Sequence, residues 1–280
     1  MNEPQLPAGR PRRLGFDTGI PNVARIYDAL LGGKDSYGAD RQAAQELLKV
    51  VPGAARAARE NRAFLGRAVQ FLAGEAGIQQ FLDIGTGLPT LGNVHEIAQA
   101  ANPAARVVYA DYDPVVVLHA NVLLAKAVTV AAVNADLRYP HDLLTSPAVR
   151  ALIDFDEPVA VLLVAVLHFL EDSDSPWKIV DCIKDHIAPG SYLVLSHVTG
   201  DDIPPDARRQ AREVYENASA PGVARERDGI ARFFDGLVML SPGLVTVPAW
   251  RPDHIITKPH ETLFYGGVGR KPDSPERSTL

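Results

Sequence analysis

The fold follows from one stretch of the chain, which reads Phe81-Leu82-Asp83-Ile84-Gly85-Thr86-Gly87-Leu88-Pro89-Thr90. Its apolar beginning predicts a short strand, and the glycines after it let the backbone turn tightly and pass close to a ligand. A dinucleotide-binding turn needs a third glycine at position 90, where this chain has Thr90. Asp83 stands on the strand, where a carboxylate repels pyrophosphate and attracts an ammonium group. We therefore expect a ligand with a cationic amino-acid end instead of phosphates.

Two more acids stand at the ends of the next two strands. Asp111 ends the second strand, where a carboxylate can accept hydrogen bonds from both hydroxyls of a ribose. Asp136 follows the third strand, where it can accept from the amino group of an adenine that Leu137 would cover. Each acid alone is typical of a helix cap or a loop. Three of them at successive strand ends, behind a glycine turn, favour a nucleoside-binding site.

Alternating strands and helices predict an α/β fold with a doubly wound, mostly parallel, seven-stranded sheet. Strands are predicted at residues 81–84, 106–110, 128–133, 159–164, 192–196, 244–247 and 262–268. One helix is predicted between the glycine turn and residue 101. The others are predicted at residues 20–50, with a break at Gly32-Gly33, and at 54–73, 114–126, 177–187, 204–220 and 223–234. The ligand is expected at the edge where the parallel strands end. The last two strands, joined by a proline-rich loop, are expected to pair antiparallel.

This pattern divides the chain into six segments. A disordered tail (1–15) precedes an N-terminal helical lid or substrate region (16–78), and the nucleotide-binding α/β core follows (79–200). A helical insertion (201–236) comes before the closing antiparallel strands (237–270) and a second tail (271–280).

Composition excludes several classes of protein. The 280 residues are 46% apolar and 22% charged, as in an ordinary globular protein, and the formal charge of −6 argues against a general nucleic-acid binder. The longest apolar run, residues 159–167, is far too short to cross a membrane. With one cysteine, Cys182, and no signal-peptide pattern, a cytoplasmic monomer or simple oligomer such as a homodimer is expected. The eight histidines lack metal-ligand spacing, so no metal is expected.

The glycine turn and the strand-end acids resemble a known superfamily. The pattern Asp83-x-Gly85-x-Gly87-x-Pro89, followed by Asp111 and Asp136, is similar to that of class I methyltransferases, which bind S-adenosylmethionine. The closing Leu263-Phe264-Tyr265-Gly266-Gly267-Val268-Gly269 resembles the reversed seventh strand of that superfamily. The whole chain further resembles an actinobacterial S-adenosyl methyltransferase family formerly described as a domain of unknown function. The segments that carry this resemblance are Asp17-Thr18-Gly19-Ile20-Pro21, Arg25-Ile26-Tyr27-Asp28, Gly32-Gly33-Lys34-Asp35, Asn61-Arg62, Val166-Leu167-His168-Phe169 and Pro248-Ala249-Trp250-Arg251-Pro252.

The resemblance implies S-adenosyl-L-methionine as the cofactor. In the superfamily the glycine turn faces the methionine part, the acid after the second strand holds the ribose, and the acid after the third approaches adenine. The candidate cofactor-binding residues are Asp83, Gly85, Thr86, Gly87, Asp111, Tyr112, Asp136, Leu137, Ala165 and Val166.

Methyl transfer itself needs mainly positioning and exclusion of water, with a base only where the acceptor loses a proton. The loop after the fourth strand, residues 165–171, is expected to face the methyl group, and His168 is its candidate catalytic base. The alternative is a structural histidine that is hydrogen-bonded beneath the loop. The superfamily's N-methylating motif, Asn/Asp-Pro-Pro-aromatic, is absent from this loop, which argues against amino-group transfer to DNA or to protein glutamine.

The N-terminal helices are the candidate lid. Gly32, Gly33 and Gly38 would act as hinges, while Tyr27, Lys34 and Tyr37 would contact the acceptor or the cofactor. The alternative places Tyr27 in the core and Lys34 in solvent. On the following helix, Arg56, Arg59 and Arg62 are expected on a solvated face.

Three functions are compatible with these residues. The first is a methyltransferase that acts on a small molecule, without nucleic-acid or membrane partners. The second is a non-catalytic module that binds S-adenosylmethionine. The third is a nicotinamide-dependent oxidoreductase, because it shares the doubly wound sheet.

Overall fold

Strands and helices alternate through the middle of the chain, as the sequence predicts. The computed structural model describes residues 17–89, 92–124, 127–201, 203–253 and 263–273. Within these ranges the strands are β1 (Gln80–Ile84), β2 (Arg106–Asp111), β3 (Val130–Asn134), β4 (Ala160–Val164), β5 (Tyr192–Val198), β6 (Val238–Met239), β7 (Val245–Thr246) and β8 (Phe264–Arg270). The α-helices are α1 (Val23–Leu31), α2 (Gly38–Val50), α3 (Ala54–Gly74), α4 (Val94–Ala101), α5 (Pro114–Leu124), α6 (Pro140–Thr145), α7 (Pro147–Arg150), α8 (Pro176–His186), α9 (Pro205–Glu216) and α10 (Arg227–Ala231).

The strands form one mostly parallel sheet in the order β3-β2-β1-β4-β5-β8-β6, and β7 also pairs with β8. The first five strands pair parallel, so their carboxyl ends share one edge. β8 is antiparallel to β5, β6 and β7. The predicted antiparallel closure is therefore confirmed, with Val245 opposite Gly266.

Apolar layers cover both faces of the sheet. One face packs against α3, α4 and α5 together with Trp250, which is fully buried. The other face packs against α6, α7, α8 and the segment around Phe233. β1 and β4 lie between the two layers and are buried along nearly their whole length, which explains why β4 is an apolar run without alternation.

The structure corrects the sequence prediction in several places. The described residues contain eight strands instead of seven, because β6 has two residues and no sequence pattern of its own. The helix predicted over 223–234 is replaced by a bridge at Arg225, the short α10 and a 3₁₀ turn. Helix α1 begins after Asn22, whose side-chain oxygen accepts from the amides of Ala24 and Arg25, and not at residue 20. The short helices α6 and α7 were not predicted.

Some predictions fall outside the described residues. They concern the tail 1–15, Thr90, the helix end at Lys126, the strand start at Thr262, and residues 274–280 of the second tail. No helix in the described part of the chain combines the length and the apolar character needed to cross a membrane.

Helices α1 and α2 form a separate layer, with α9 beside them, and we call these three helices the cap. Its apolar centre includes Ile26, Leu30 and Leu47, with Val214 and Tyr215 of α9 packed against it. Helix α3 runs between the cap and the sheet, since Ala54 and Ala58 face the cap while its later residues face the strands. The predicted segment 16–78 thus divides between the cap and the sheet layer.

Candidate functional site

The glycine turn adopts the conformation that its sequence requires. Gly85 and Gly87 have φ angles of +72° and +66°, in the left-handed region that side chains rarely adopt. A Cβ atom on Gly85 would lie 2.2 Å from Cγ2 of Val166, and one on Gly87 would lie 4.0 Å from Cβ of Ala24. The turn is therefore enclosed between the loop after β4 and the first helix of the cap.

Asp83 and Asp111 are both buried at the strand ends beside this turn. Burial raises the pKa of each carboxyl to about 6. The Thr86 hydroxyl, which donates to Asp83 at 3.1 Å, and the nearby Arg62 lower the pKa of Asp83 and partly oppose this rise. Asp83 and Asp111 are also close enough for one charge to raise the pKa of the other. Two such acids together favour a ligand that brings hydrogen-bond donors or positive charge.

Asp111 also holds the turn in place. One carboxylate oxygen accepts the Gly87 amide at 3.0 Å, and the other accepts the Asp113 amide at 2.9 Å. Each oxygen keeps a second lone pair that a ribose hydroxyl could use. The structure therefore brings Asp83, Thr86, Gly87 and Asp111 together, as the sequence predicts.

The three remaining candidates at this edge have other partners. The carboxylate of Asp136 is paired with the guanidinium of Arg138 at 2.7 Å. Leu137 is 7% exposed and lies in the apolar core of the sheet. The hydroxyl of Tyr112, an exposed side chain, donates to Ser219 at 2.9 Å. Leu137 is thus part of the core in this structure, and Tyr112 reaches the loop after α9.

The loop after β4 bends sharply at its first residue. Ala165 has a φ angle of +57°, a left-handed conformation that costs a non-glycine residue about 1 kcal/mol or more. Its amide donates to Oγ of Ser196 at 3.0 Å and to the Ser196 carbonyl at 3.2 Å. This bend places Val166 against Gly85, so the loop contacts the glycine turn.

His168 lies deeper in the same loop, on a 3₁₀ turn (Leu167–Phe169). It is buried, and its Nδ1 atom has no hydrogen-bond partner. Burial lowers the pKa of His168 well below its usual value, and nearby His197 and Arg225 lower it further. The ring is therefore neutral at physiological pH, with one nitrogen able to take a proton.

Arg225 and His197, which no sequence motif indicates, support this turn. The Arg225 guanidinium donates to the carbonyls of Leu167 and Leu170, at 3.2 and 2.9 Å, and to Nε2 of His197 at 2.9 Å. His197 shares its Nδ1 proton with the Val198 carbonyl at 2.7 Å, and burial holds its pKa at about 3. These residues come from distant segments, so no local sequence signal identifies them.

The three predicted lid residues have different surroundings. Tyr27 is half-buried, and its hydroxyl donates to the Ala58 carbonyl and accepts from Asn61, both at 3.0 Å. Lys34 and Tyr37 are exposed, and the Arg25 guanidinium lies over the Tyr37 ring at 5.4 Å. Tyr27 thus has the internal position of the alternative interpretation, and Lys34 is at the surface.

The cap is joined to the sheet edge by polar contacts. The side-chain Nδ2 of Asn22 donates to Asp113 at 2.7 Å, and the hydroxyl of Ser219 accepts from both the Tyr112 hydroxyl and the Val23 backbone amide. Arg62 also differs from its prediction, because it is half-buried beside the turn and donates to the Gly92 carbonyl at 3.3 Å. Arg56 and Arg59 are exposed, as expected.

No group of three or more metal-binding side chains occurs within the ranges that the structure describes.

Comparisons with known proteins agree with this geometry. A family model described as S-adenosyl methyltransferase matches residues 10–272. A protein from Thermobifida fusca, assigned as a methyltransferase, is 45% identical with a TM-score of 0.86, covering 91% of this chain and 97% of that chain. A DUF574 family protein from Streptomyces avermitilis is 39% identical with the same TM-score, covering 91% and 99%.

More distant similarity is restricted to the fold. An O-methyltransferase family protein from Burkholderia thailandensis is 14% identical with a TM-score of 0.51, covering 84% of this chain and 64% of that chain. No curated protein matches the chain. With a family model spanning nearly the whole sequence and two structures above 35% identity, the chain belongs to the S-adenosyl methyltransferase family, whose cofactor is S-adenosyl-L-methionine.

Proposed function

We propose that the chain transfers the methyl group of S-adenosylmethionine to a small-molecule acceptor. The observation that carries the proposal is the pair of buried acids, Asp83 and Asp111, on either side of a turn made by two left-handed glycines. The family assignment favours this function over the nicotinamide-dependent oxidoreductase.

The residues at the strand ends fit the cofactor. Asp83 would pair with its ammonium group and Asp111 would accept its ribose hydroxyls, while the open space beside Gly87 leaves room for the amino-acid part. Both acids are costly to ionise while buried, and a cationic, hydroxyl-bearing ligand offsets that cost. The carboxylate of Asp136 is paired with Arg138, so it would have to accept from the adenine and from Arg138 at the same time. When bound, the cofactor supplies an electrophilic methyl group on a sulfonium.

The cap supports a small acceptor over a macromolecule. Ala24 lies against the glycine turn, and the contacts Asn22–Asp113 and Tyr112–Ser219 cover the ribose side of the edge. A covered edge suits an acceptor that the protein can enclose, and enclosure keeps water from the reacting atoms. The proposed enzyme acts on this small acceptor without a nucleic-acid or membrane partner. A cytoplasmic location, a homodimer and an actinobacterial origin stay predictions of the sequence.

His168 is the proposed general base where the acceptor must lose a proton. A structural histidine beneath the loop would be expected to use both ring nitrogens, yet Nδ1 is buried without a partner. A neutral imidazole at neutral pH can accept a proton from a hydroxyl acceptor. Arg225 and His197 hold the turn that carries it.

The function is tested with methyl-labelled S-adenosylmethionine and a metabolite extract. The label should move to a small molecule, which mass spectrometry identifies. His168→Ala should then lower turnover by ~10²–10⁴ while calorimetry shows retained affinity for S-adenosylhomocysteine. The control is His141→Ala, an exposed histidine on α6.

Each outcome separates two of the alternatives. Binding without any label transfer would favour the non-catalytic module. A folded His168→Ala variant with normal turnover would leave only a structural role for this histidine. A wild-type protein that binds neither form of the cofactor would overturn the proposed function.

A further inference from the structure

A chain of hydrogen bonds crosses from the loop after β4 to the cap. The Ala165 amide donates to the hydroxyl of Ser196 at 3.0 Å, and that hydroxyl donates to Oδ1 of Asn61 at 2.6 Å. Nδ2 of Asn61 donates to the hydroxyl of Tyr27 at 3.0 Å, and Tyr27 donates to the Ala58 carbonyl at 3.0 Å. Asn61 and Ser196 are 1% and 0% exposed, so water does not compete for these bonds.

The bonds all run in one direction, which explains why an asparagine stands at position 61. The Tyr27 hydroxyl donates its proton to the Ala58 carbonyl, so its oxygen can only accept a further hydrogen bond. The side-chain amide nitrogen of Asn61 donates that bond. The Ser196 hydroxyl donates to Oδ1 of Asn61 and accepts from the Ala165 amide. Among side chains of this size, a carboxylate could accept from Ser196 but could not donate to Tyr27.

The series of hydrogen bonds ends at the strained bend of Ala165, at the candidate cofactor site. Ala165 keeps its left-handed φ angle of +57° while its amide is held by Ser196. The next residue, Val166, fills the space that Gly85 leaves without a side chain. Movement of Ser196 would therefore shift Val166 against the glycine turn.

We propose that Asn61 is a positioning residue for methyl transfer, which fixes the bend at Ala165 and links it to Tyr27 of the cap. The inference rests on the proposed function, because it assigns the bend to the cofactor site. Asn61 itself acts through Ser196 and Tyr27.

The test combines binding and rescue. Asn61→Leu should weaken the affinity for S-adenosylhomocysteine about tenfold in calorimetry, and Asn61→Asp should do the same. Adding Ala165→Gly to Asn61→Leu should recover at least half of the logarithmic loss, because glycine adopts the left-handed bend without support. The matched control is Arg59→Ala, an exposed residue on the same helix, which should bind like the wild type.

A milder variant keeps the inference testable without cofactor. Tyr27→Phe removes only the far hydroxyl, and it should shift the NMR signal of the Ala165 amide through the two intervening side chains. An unmoved Ala165 signal, a folded Asn61→Leu variant with wild-type affinity, or a double variant without rescue would each overturn the role of Asn61. A wild-type protein that does not bind S-adenosylhomocysteine would instead overturn the proposed function. The NMR experiment needs no ligand, so it would still test the role of Asn61 in that case.

Discussion

The sheet and the cap differ in what holds them. β1 and β4 are buried between two apolar layers, and their polar groups are satisfied by the backbone pairing of neighbouring strands. The cap instead depends on Asp40, which is 0% exposed and accepts from the Arg25 guanidinium at 2.7 Å and from the amides of Asn22 and Tyr37. Apolar burial tolerates small shifts, whereas a buried ion pair fails when one partner is removed. The candidate site lies where these two regions meet.

The largest expected effect comes from breaking the buried ion pair of the cap. Arg25→Met leaves Asp40 buried without its counter-charge and should lower the free energy of unfolding by about 3–5 kcal/mol. Arg56→Met removes the exposed Arg56–Glu60 pair and should cost less than about 1 kcal/mol. Chemical denaturation measures both, and hydrogen exchange should place the loss in residues 23–50. Equal losses in the two variants would contradict the difference between cap and surface.

The next effect concerns the sheet side of the site. Asp111→Ala should weaken binding of S-adenosylhomocysteine by about 1.5–3 kcal/mol, tenfold or more, because the ribose loses its acceptor. Asp136→Ala should have a smaller effect, since Arg138 already occupies that carboxylate. Calorimetry gives both affinities, and circular dichroism checks the fold. Unchanged affinity in Asp111→Ala would remove the ribose assignment.

The affinity should also depend on pH. Burial raises the pKa of Asp83 and Asp111 to about 6, so both carboxyls take up protons as the pH falls from 7 to 5 in the ligand-free protein. An ammonium group binds the ionised form, so affinity should fall as the pH falls, by up to about tenfold per pH unit below 6. Asp83→Asn should flatten this profile in calorimetry between pH 5 and 8. A wild-type affinity that is constant over this range would exclude the ammonium–Asp83 pair.

The smallest expected effect tests whether the cap moves. If residues 17–50 act as a lid, cofactor at saturation should slow hydrogen exchange in residues 20–40 and leave β1 unchanged. The contacts Asn22–Asp113 and Tyr112–Ser219 are the ones that opening would break. Identical exchange with and without cofactor would favour a permanently docked cap.

The sequence predicts the sheet well because the parallel strands are short, largely apolar segments that alternate with helical segments. β6 escapes prediction, since two residues carry no pattern and pair only because β8 lies beside them. The predicted helix over 223–234 fails because Arg225 turns inward to the loop after β4, 55 to 58 residues earlier in the chain. Tertiary contacts there override local helix propensity.

The residues of the candidate site likewise include some that the sequence predicts and some that it does not. Asp83 and Asp111 could be predicted because they lie near the carboxyl ends of two strands, which the topology brings to one edge. Asn61 and Ser196 could not, because their bond joins residues 135 apart in sequence. The motif Asn61-Arg62 marked the family without indicating that Asn61 faces a strand. Side-chain pairing across layers depends on packing, which no local pattern encodes.

The position of β8 in the sheet has a consequence for synthesis of the chain. β8 is synthesised after the other seven strands in the described part of the chain, yet it pairs with β5 through seven residues, from Tyr192 opposite Arg270 to Val198 opposite Phe264. Until residues 264–270 leave the ribosome, β5 is the open edge of a parallel sheet that can already form. An open edge invites pairing with other chains. A chain that ends before β8 would therefore expose strand β5 and be prone to aggregate.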